Sequence, residues 1–427
     1  MTEWRTVPIR DLCLGIFDGP HATPKKTSSG PVFLGISSLD GGRLNLDESA
    51  HLSETDFTRW TRRVTPQPND VVFSYETRLG EAAIIPEGLR CCLGRRMALM
   101  RPNPVKVDPR FLLYAYLGPE FQATIRERTV HGSTVERILL TDFPDFPIRV
   151  PDLPTQRSIA GLLGALDDKI ELNRRMNRTL ESIARAIFKS WFVDFDPVRK
   201  KMEGKTGGEL GLPPSLAALF PNRLIESKLG ELPEGWAVGC LGDVALQVRD
   251  TVRPEDIPKD LAYFGLEHLP RRSIALAEWS DASDIASSKS RFAKGDILFG
   301  KLRPYFHKVG PPPVEGVCST DIVVVRPKSR VLASFVLGHV SSDEFVDHVS
   351  AASSGTRMPR TTWKDLAAYP IVIPSEDLCR AFDEMGRRII DRIHSNILES
   401  RTASGVRDSL LPRLINGELL GGCGTGG

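Results

Sequence analysis

Residues 151–197 read PDLPTQRSIAGLLGALDDKIELNRRMNRTLESIARAIFKSWFVDFDP, with no proline between Pro154 and Pro197. Apolar or small residues recur at alternating steps of four and three: Ile159, Leu163, Leu166, Ile170, then Asn173 and Asn177, then Leu180, Ala184 and Ile187. Such an a/d pattern, sustained over about four heptads, predicts a coiled-coil seam rather than an ordinary surface helix. Leu162, Met176 and Ile183 are expected to widen the stripe, with Asp167, Asp168, Lys169, Arg174, Arg175 and Arg178 outside it. A helix of this length cannot bury its stripe alone, so the sequence must supply a partner.

The partner lies in the same chain, because the second half repeats the first. Trp4 and Asp11 recur as Trp236 and Asp243, Asp70-Val-Val-Phe as Asp296-Ile-Leu-Phe, and Arg101-Pro102 as Arg326-Pro327. Phe111 and Phe121 match Phe335 and Phe345. Further on, Gly132 matches Gly355, Asp142 matches Asp365, and Pro147 and Pro151 match Pro370 and Pro374. The match runs into a second long helix, where Ile159, Leu162, Leu166, Ile170 and Asn173 become Phe382, Met385, Ile389, Ile393 and Asn396. The predicted fold class is α+β: two similar globular modules and two long helices that pair as an antiparallel intramolecular coiled coil with pseudo-two-fold symmetry. Buried asparagines at the seam would fix its register.

The expected organisation is a recognition module over 1–151, a helix over 152–197 and a Gly-, Pro- and Lys-rich connection over 198–234. A second module over 235–374, a second helix over 375–420 and a tail over 421–427 follow. Within the first module, residues 31–36, 70–74 and 96–100 read as strands, and 109–127 as helical.

Composition is that of an ordinary globular protein, with 41% hydrophobic and 26% charged residues and a formal charge of +2. Basic pairs such as Lys25-Lys26, Arg95-Arg96, Arg271-Arg272 and Arg387-Arg388 fit nucleic acid and solvated faces alike. The seven cysteines include no C-x-x-C pair, so neither a zinc site nor a disulfide framework is expected. The opening MTEWRTVPIRD lacks an apolar leader core, and no run of 18 apolar residues occurs, which predicts a cytoplasmic protein without membrane association.

Catalytic constellations are missing from the sequence. Gly204-Lys205-Thr206 resembles the end of a phosphate-binding loop, but Arg199 stands where that loop needs glycine. Asp196 with Glu203 and Lys205 resembles a nuclease set placed in a flexible connection, where nothing would orient the carboxylates. The histidines show no H-E-x-x-H spacing, and neither a G-x-S-x-G elbow nor the N-P-P-Y of amino-methyltransferases occurs. No metal ligand and no catalytic residue is predicted. Two like modules on paired helices suit the two-fold symmetry of duplex DNA. A helix of about 40 residues is ~60 Å long, just under ~18 base pairs.

At this point the chain resembles the specificity subunit of type I restriction–modification enzymes over essentially its whole length. Pro154-Thr-Gln-Arg157-Ser-Ile-Ala160 and the segment from Ala186 to Pro197 look like that family's central region. Gly19-Pro-His21-Ala-Thr-Pro24 is similar to a loop of its first domain. Phe264-Gly-Leu-Glu267-His268, Gly295-Asp-Ile-Leu-Phe-Gly-Lys301-Leu-Arg303-Pro-Tyr305 and Cys318-Ser-Thr-Asp321 look like one version of its target recognition domain. Arg407-Asp-Ser-Leu-Leu-Pro412-Arg-Leu-Ile-Asn-Gly417 is similar to its terminal helix.

The resemblance implies a DNA-binding, non-catalytic subunit that reads a bipartite site, one half per module. Two methyltransferase subunits would dock on the helices, and restriction–translocase subunits would join them. S-adenosylmethionine, ATP and magnesium would be bound by those partners and none by this chain. A stand-alone DNA-binding regulator, or a coiled-coil scaffold without methyltransferase partners, is the competing reading. Base readout favours Arg, Lys, Asn and Gln. Candidate DNA-binding residues in the second module are therefore Lys301, Arg303, Tyr305, Arg357 and Arg360. Their repeat-equivalent candidates in the first are Thr77, Arg78, His131, Ser133 and Thr134, to which His21, Thr23, Lys25 and Lys26 are added. Trp191 and Phe192 are expected to be apolar contacts rather than base-stacking groups.

Overall fold

The computed structural model describes residues 4–46, 49–131, 135–353 and 358–419. The chain forms two compact units, one of residues 1–168 with 403–427 and the other of residues 169–402. Each long helix contributes to both.

The first unit is built on a four-stranded antiparallel sheet in the order Cys13–Asp18, Met97–Pro102, Val71–Ser74, Ala82–Ile84. Val71, Val72 and Phe73 are fully buried, as are Met97 to Met100, so these central strands are apolar on both faces. The second unit repeats the sheet as Ala245–Val248, Ile322–Pro327, Ile297–Gly300, Val309–Gly310. The repeat extends to a two-stranded ladder, Arg5–Pro8 with Pro147–Val150 and Ala237–Cys240 with Pro370–Ile373. It also extends to a parallel pair in a second sheet, Thr27–Leu34 with Cys91–Leu93 and Ala262–Phe264 with Gly316–Cys318. The α+β class is thus present twice.

The two aspartates that head the central strands explain why the repeat retains them. Asp70, 2% exposed, accepts the Gln67 amide at 2.8 Å and both arms of Arg101 at 2.9 and 2.8 Å. Asp296, also 2% exposed, accepts the Ala293 amide at 2.8 Å and Arg326 at 2.6 and 2.7 Å. A fork of guanidinium donors on a carboxylate satisfies a buried charge that would otherwise be strongly destabilising. The matched Asp and Arg motifs are therefore two halves of one interaction.

The first long helix runs Leu153–Phe192 and the second Glu376–Ile415. They pack antiparallel. In the first unit Arg407 Nη1 meets Asp167 at 2.7 Å; in the second Lys169 meets Glu399 at 3.0 Å. Ile159, Leu163, Ile170, Asn173, Phe382, Ile393 and Asn396 are buried, while Leu166, Met385 and Ile389 are half-buried. Gln156, 1% exposed, fixes the start of the first helix by accepting the Asp108 amide and donating to the Pro151 carbonyl.

Several sequence expectations are corrected. Leu162 and Ile183 are 49% and 45% exposed and do not widen the seam. The first helix stops at Phe192 rather than near Pro197, and Phe195 turns left-handed at φ 56° before a short helix, Asp196–Met202. Pro197 has no amide to continue the earlier ladder but suits the first turn of a new helix. Residues 109–127 form two helices, Pro109–Leu117 and Pro119–Arg128, divided where Gly118 is extended ahead of Pro119. Residues 198–234 are folded: Val198, Phe220 and Leu232 belong to the core of the second unit, and Leu224–Ser227 pairs with Gly230–Pro233. Trp191 and Phe192 lie in that core, with Phe220 edge-on to Trp191 at 5.2 Å. Among the described residues no helix is long and apolar enough to cross a membrane.

Candidate nucleic-acid interface

In each unit the central strand leads into a loop that is tied to the segment before the module's last strand, and the same backbone hydrogen bonds do the tying. In the first unit the Tyr75 amide donates to the Arg96 carbonyl at 3.2 Å. The Ile138 amide donates to the Tyr75 carbonyl at 2.9 Å, and the Thr77 amide to the Glu136 carbonyl at 3.2 Å. In the second unit the Lys301 amide donates to Asp321 at 2.9 Å, the Thr361 amide to Lys301 at 3.0 Å, and the Arg303 amide to Pro359 at 2.8 Å. Glu76 bridges Arg137, and Leu302 bridges Arg360, both antiparallel. The third loop residue is left-handed in both copies, with φ 71° at Thr77 and 50° at Arg303. Two chemically different side chains thus occupy one strained backbone position.

The structure brings Lys301, Arg303 and Arg360 together on this ladder in the second unit. Arg360 is exposed and pairs with Asp321 at 3.3 Å. The Arg303 guanidinium carbon lies 5.8 Å from the Phe306 ring centre, and its Nε is buried without a hydrogen-bond partner. Tyr305 is half exposed and edge-on to Phe306 at 4.9 Å. Lys301 is half-buried, with no ion-pair partner among the described residues.

In the first unit Thr77 accepts a hydrogen bond from Arg96 at 3.1 Å, and Arg96 pairs with Glu76 at 3.2 Å. The Arg78 guanidinium donates to the Ile36 carbonyl at 3.1 Å and Glu81 at 3.0 Å, which orders it against its own unit. His21 stands 3.2 Å from Asp18 and 3.5 Å from the Tyr75 hydroxyl, so its loop reaches the same ladder. Tyr75 is buried; desolvation, with Glu76 and Asp18 nearby, pushes its phenol up to about 12. It therefore stays a neutral donor, to the Arg95 carbonyl at 2.9 Å. His131 is exposed, with Nδ1 3.1 Å from Glu136 on a short hairpin, Val130–His131 with Glu136–Arg137. Thr23, Lys25 and Lys26 are exposed. Ser133, Thr134 and Arg357 lie outside the described residues.

Sequence reasoning passed over Arg137 and did not connect Arg96 with Thr77. The repeat held the signal, since the spacing that carries Gly132 onto Gly355 also carries Arg137 onto Arg360. The residues of the discarded nuclease set serve local roles: Asp196 accepts from Ser190 at 2.7 Å, and Glu203 pairs with Lys205 at 2.6 Å. Among the described residues no three His, Cys, Asp or Glu side chains are grouped to hold a metal.

Residues 2–182 match the family described as Type I restriction modification DNA specificity domain. The chain is 25% identical over 373 residues to the type I restriction enzyme HindI specificity subunit of Haemophilus influenzae, covering 76% of this chain and 80% of that one. It is 23% identical over 413 residues to the MjaIX specificity subunit of Methanocaldococcus jannaschii, covering 94% and 87%. In fold it is similar to the crystal structure of the type I restriction–modification S subunit from M. genitalium, with a TM-score of 0.57 at 14% identity, covering 97% and 96%.

Proposed function

We propose that this chain, which belongs to the specificity subunits of type I restriction–modification systems, reads a bipartite DNA sequence with one half-site per unit. The observation that carries the reading is the duplicated ladder: one backbone framework presents two different sets of side chains, Glu76, Thr77 and Arg137 in one unit and Lys301, Leu302, Arg303 and Arg360 in the other. A common frame with divergent side chains is what two half-sites of unrelated sequence require, since phosphate contacts position a protein and base contacts specify.

The paired helices hold the spacer and dock methyltransferase subunits. Support for docking comes from Leu172 and Ile183 on the first helix and Leu398 on the second, which are 53%, 45% and 42% exposed. Leu172 and Ile183 are about three turns apart and share one face. Large apolar side chains facing outward on a rod favour a protein partner. The chain itself performs no chemistry; S-adenosylmethionine, ATP and magnesium belong to the methyltransferase and restriction subunits.

The test is to express the chain with and without an adenine methyltransferase subunit encoded beside it and to map methylated adenines by sequencing. Methylation at one split sequence, present only when both chains are present, is expected. Methylation by the purified chain alone would overturn the reading. A chain that binds DNA specifically but forms no complex with the methyltransferase would instead be a self-contained regulator.

A further inference from the structure

We propose that Arg137 and Arg360 are equivalent base-reading residues, one in each unit, each aimed at a G·C pair of its own half-site. This rests on the DNA-reading function proposed above. The two arginines occupy the same position of the ladder, directly opposite Glu76 and Leu302, one residue before Ile138 and Thr361. Both side chains are exposed while the residues that follow, Ile138 and Thr361, are 1% exposed. Each guanidinium thus projects from a backbone anchored on its inner side. Such anchoring lowers the entropy lost when a long side chain is fixed against a ligand.

The charges around the two positions differ in a way that points outward. Asp321 faces Arg360, but the residue whose carbonyl occupies the equivalent place in the first unit is Arg96. The first unit has inverted the sign there, and Arg96 is taken up by Glu76 and Thr77. Arg137 consequently has no ion-pair partner among the described residues. Arg95, the sequence neighbour of Arg96, is exposed and also has no ion pair among the described residues. The exposed Arg137 guanidinium, without an ion pair among the described residues, is free to meet an acceptor outside the chain, and Arg360 can exchange its exposed pairing with Asp321 for such an acceptor at little cost. The acceptors that a planar fork matches best in a DNA groove are O6 and N7 of guanine.

The experiment uses the complete methyltransferase complex and sequences the methylated sites of wild type, Arg137→Ala, Arg360→Ala and the double variant. Each single variant should lose roughly ten-fold or more in discrimination at one G·C position. The two should affect different halves of the site, and the double variant both. If Arg137→Ala gives no methylation, Arg137→Gln replaces it: adenine accepted in place of guanine at one position supports the assignment, and an unchanged sequence overturns it. A loss of affinity with no change in sequence would make Arg137 a phosphate contact and overturn its role as a reader. So would relaxation of both halves by one substitution. A wild-type complex that methylates without sequence preference removes the proposed function and this inference together. Specific wild-type methylation that Arg137→Ala leaves intact removes only the inference.

Discussion

Thr77 and Arg303 hold left-handed backbone that a non-glycine residue adopts at a cost of about 1–2 kcal/mol. Both are retained at equivalent loop positions, and in both the amide is pinned to the facing segment. Strain that recurs at a common position suits side chains that must be presented rigidly. Arg303→Ala is therefore expected to relax one half-site and leave the other unchanged, as read from methylated sequences. Loss of binding to every sequence alike would contradict this. The aspartate–arginine pairs behave differently, since they lie behind the loops. Arg101→Ala leaves Asp70 charged and 2% exposed, and should destabilise the first unit by roughly 3 kcal/mol. Hydrogen exchange should accelerate in Val71–Ser74 and stay slow in Ile297–Gly300; equal acceleration of both strands would refute the assignment.

The two long helices meet through a polar layer as well as an apolar seam. Asn173 Nδ2 donates to the Asn396 carbonyl at 3.3 Å, Glu399 at 3.0 Å and Ser400 at 3.2 Å. Asn396 Nδ2 donates to Asn177 at 2.8 Å. Both asparagines are 0% exposed, and the side-chain oxygen of each lacks a partner. Such a layer sacrifices some stability and penalises slipped registers, because a slip would set amides against leucine. Replacing Asn173 and Asn396 together by leucine should raise the melting temperature and broaden the range of spacers that are methylated. A single unchanged spacer would show that apolar packing alone sets the register. Removing one heptad from each helix should shorten the preferred spacer and leave both half-site sequences unaltered.

For the molecule as a whole, the units should differ in their response to acid. Three histidines in the second unit are buried, and desolvation lowers the pKa of each: His307, His394 and above all His339, pushed down to about 3. His339 stands edge-on to Phe188 at 4.9 Å and Phe335 at 4.6 Å, with no partner for Nε2. Below its ordinary pKa of 6.5, the unfolded chain binds a proton that the folded unit refuses. Stability from His339 is thus complete above 6.5 and declines toward pH 3, with a slope of at most about 1.4 kcal/mol per pH unit. Glu181, whose pKa is raised by burial, works in the opposite sense. His339→Leu should flatten the acid limb of the second unit's unfolding, and an unchanged slope would show that His339 does not govern it.

Read alone, the sequence determined the large-scale plan: heptad spacing made the long helices, and the internal match made two α+β modules and an intrachain helical pair. These follow from periodicity and repetition, which are local in the chain. It did not yield the ends of the elements around Gly118 and Phe195, the packing of residues 198–234, or the exposure of Leu162 and Ile183. Each of those depends on which neighbour covers which face, a contact made over long separations. The same limit applied to the candidate interface. Its residue types were legible in the second module, but the ladder that joins residues 75–77 to 136–138 and 301–303 to 359–361 exists only once the chain has folded. The repeat spacing already aligned Arg137 with Arg360, but only the tertiary structure could place each of them on a ladder opposite the loop after the central strand, because that pairing joins segments about 60 residues apart.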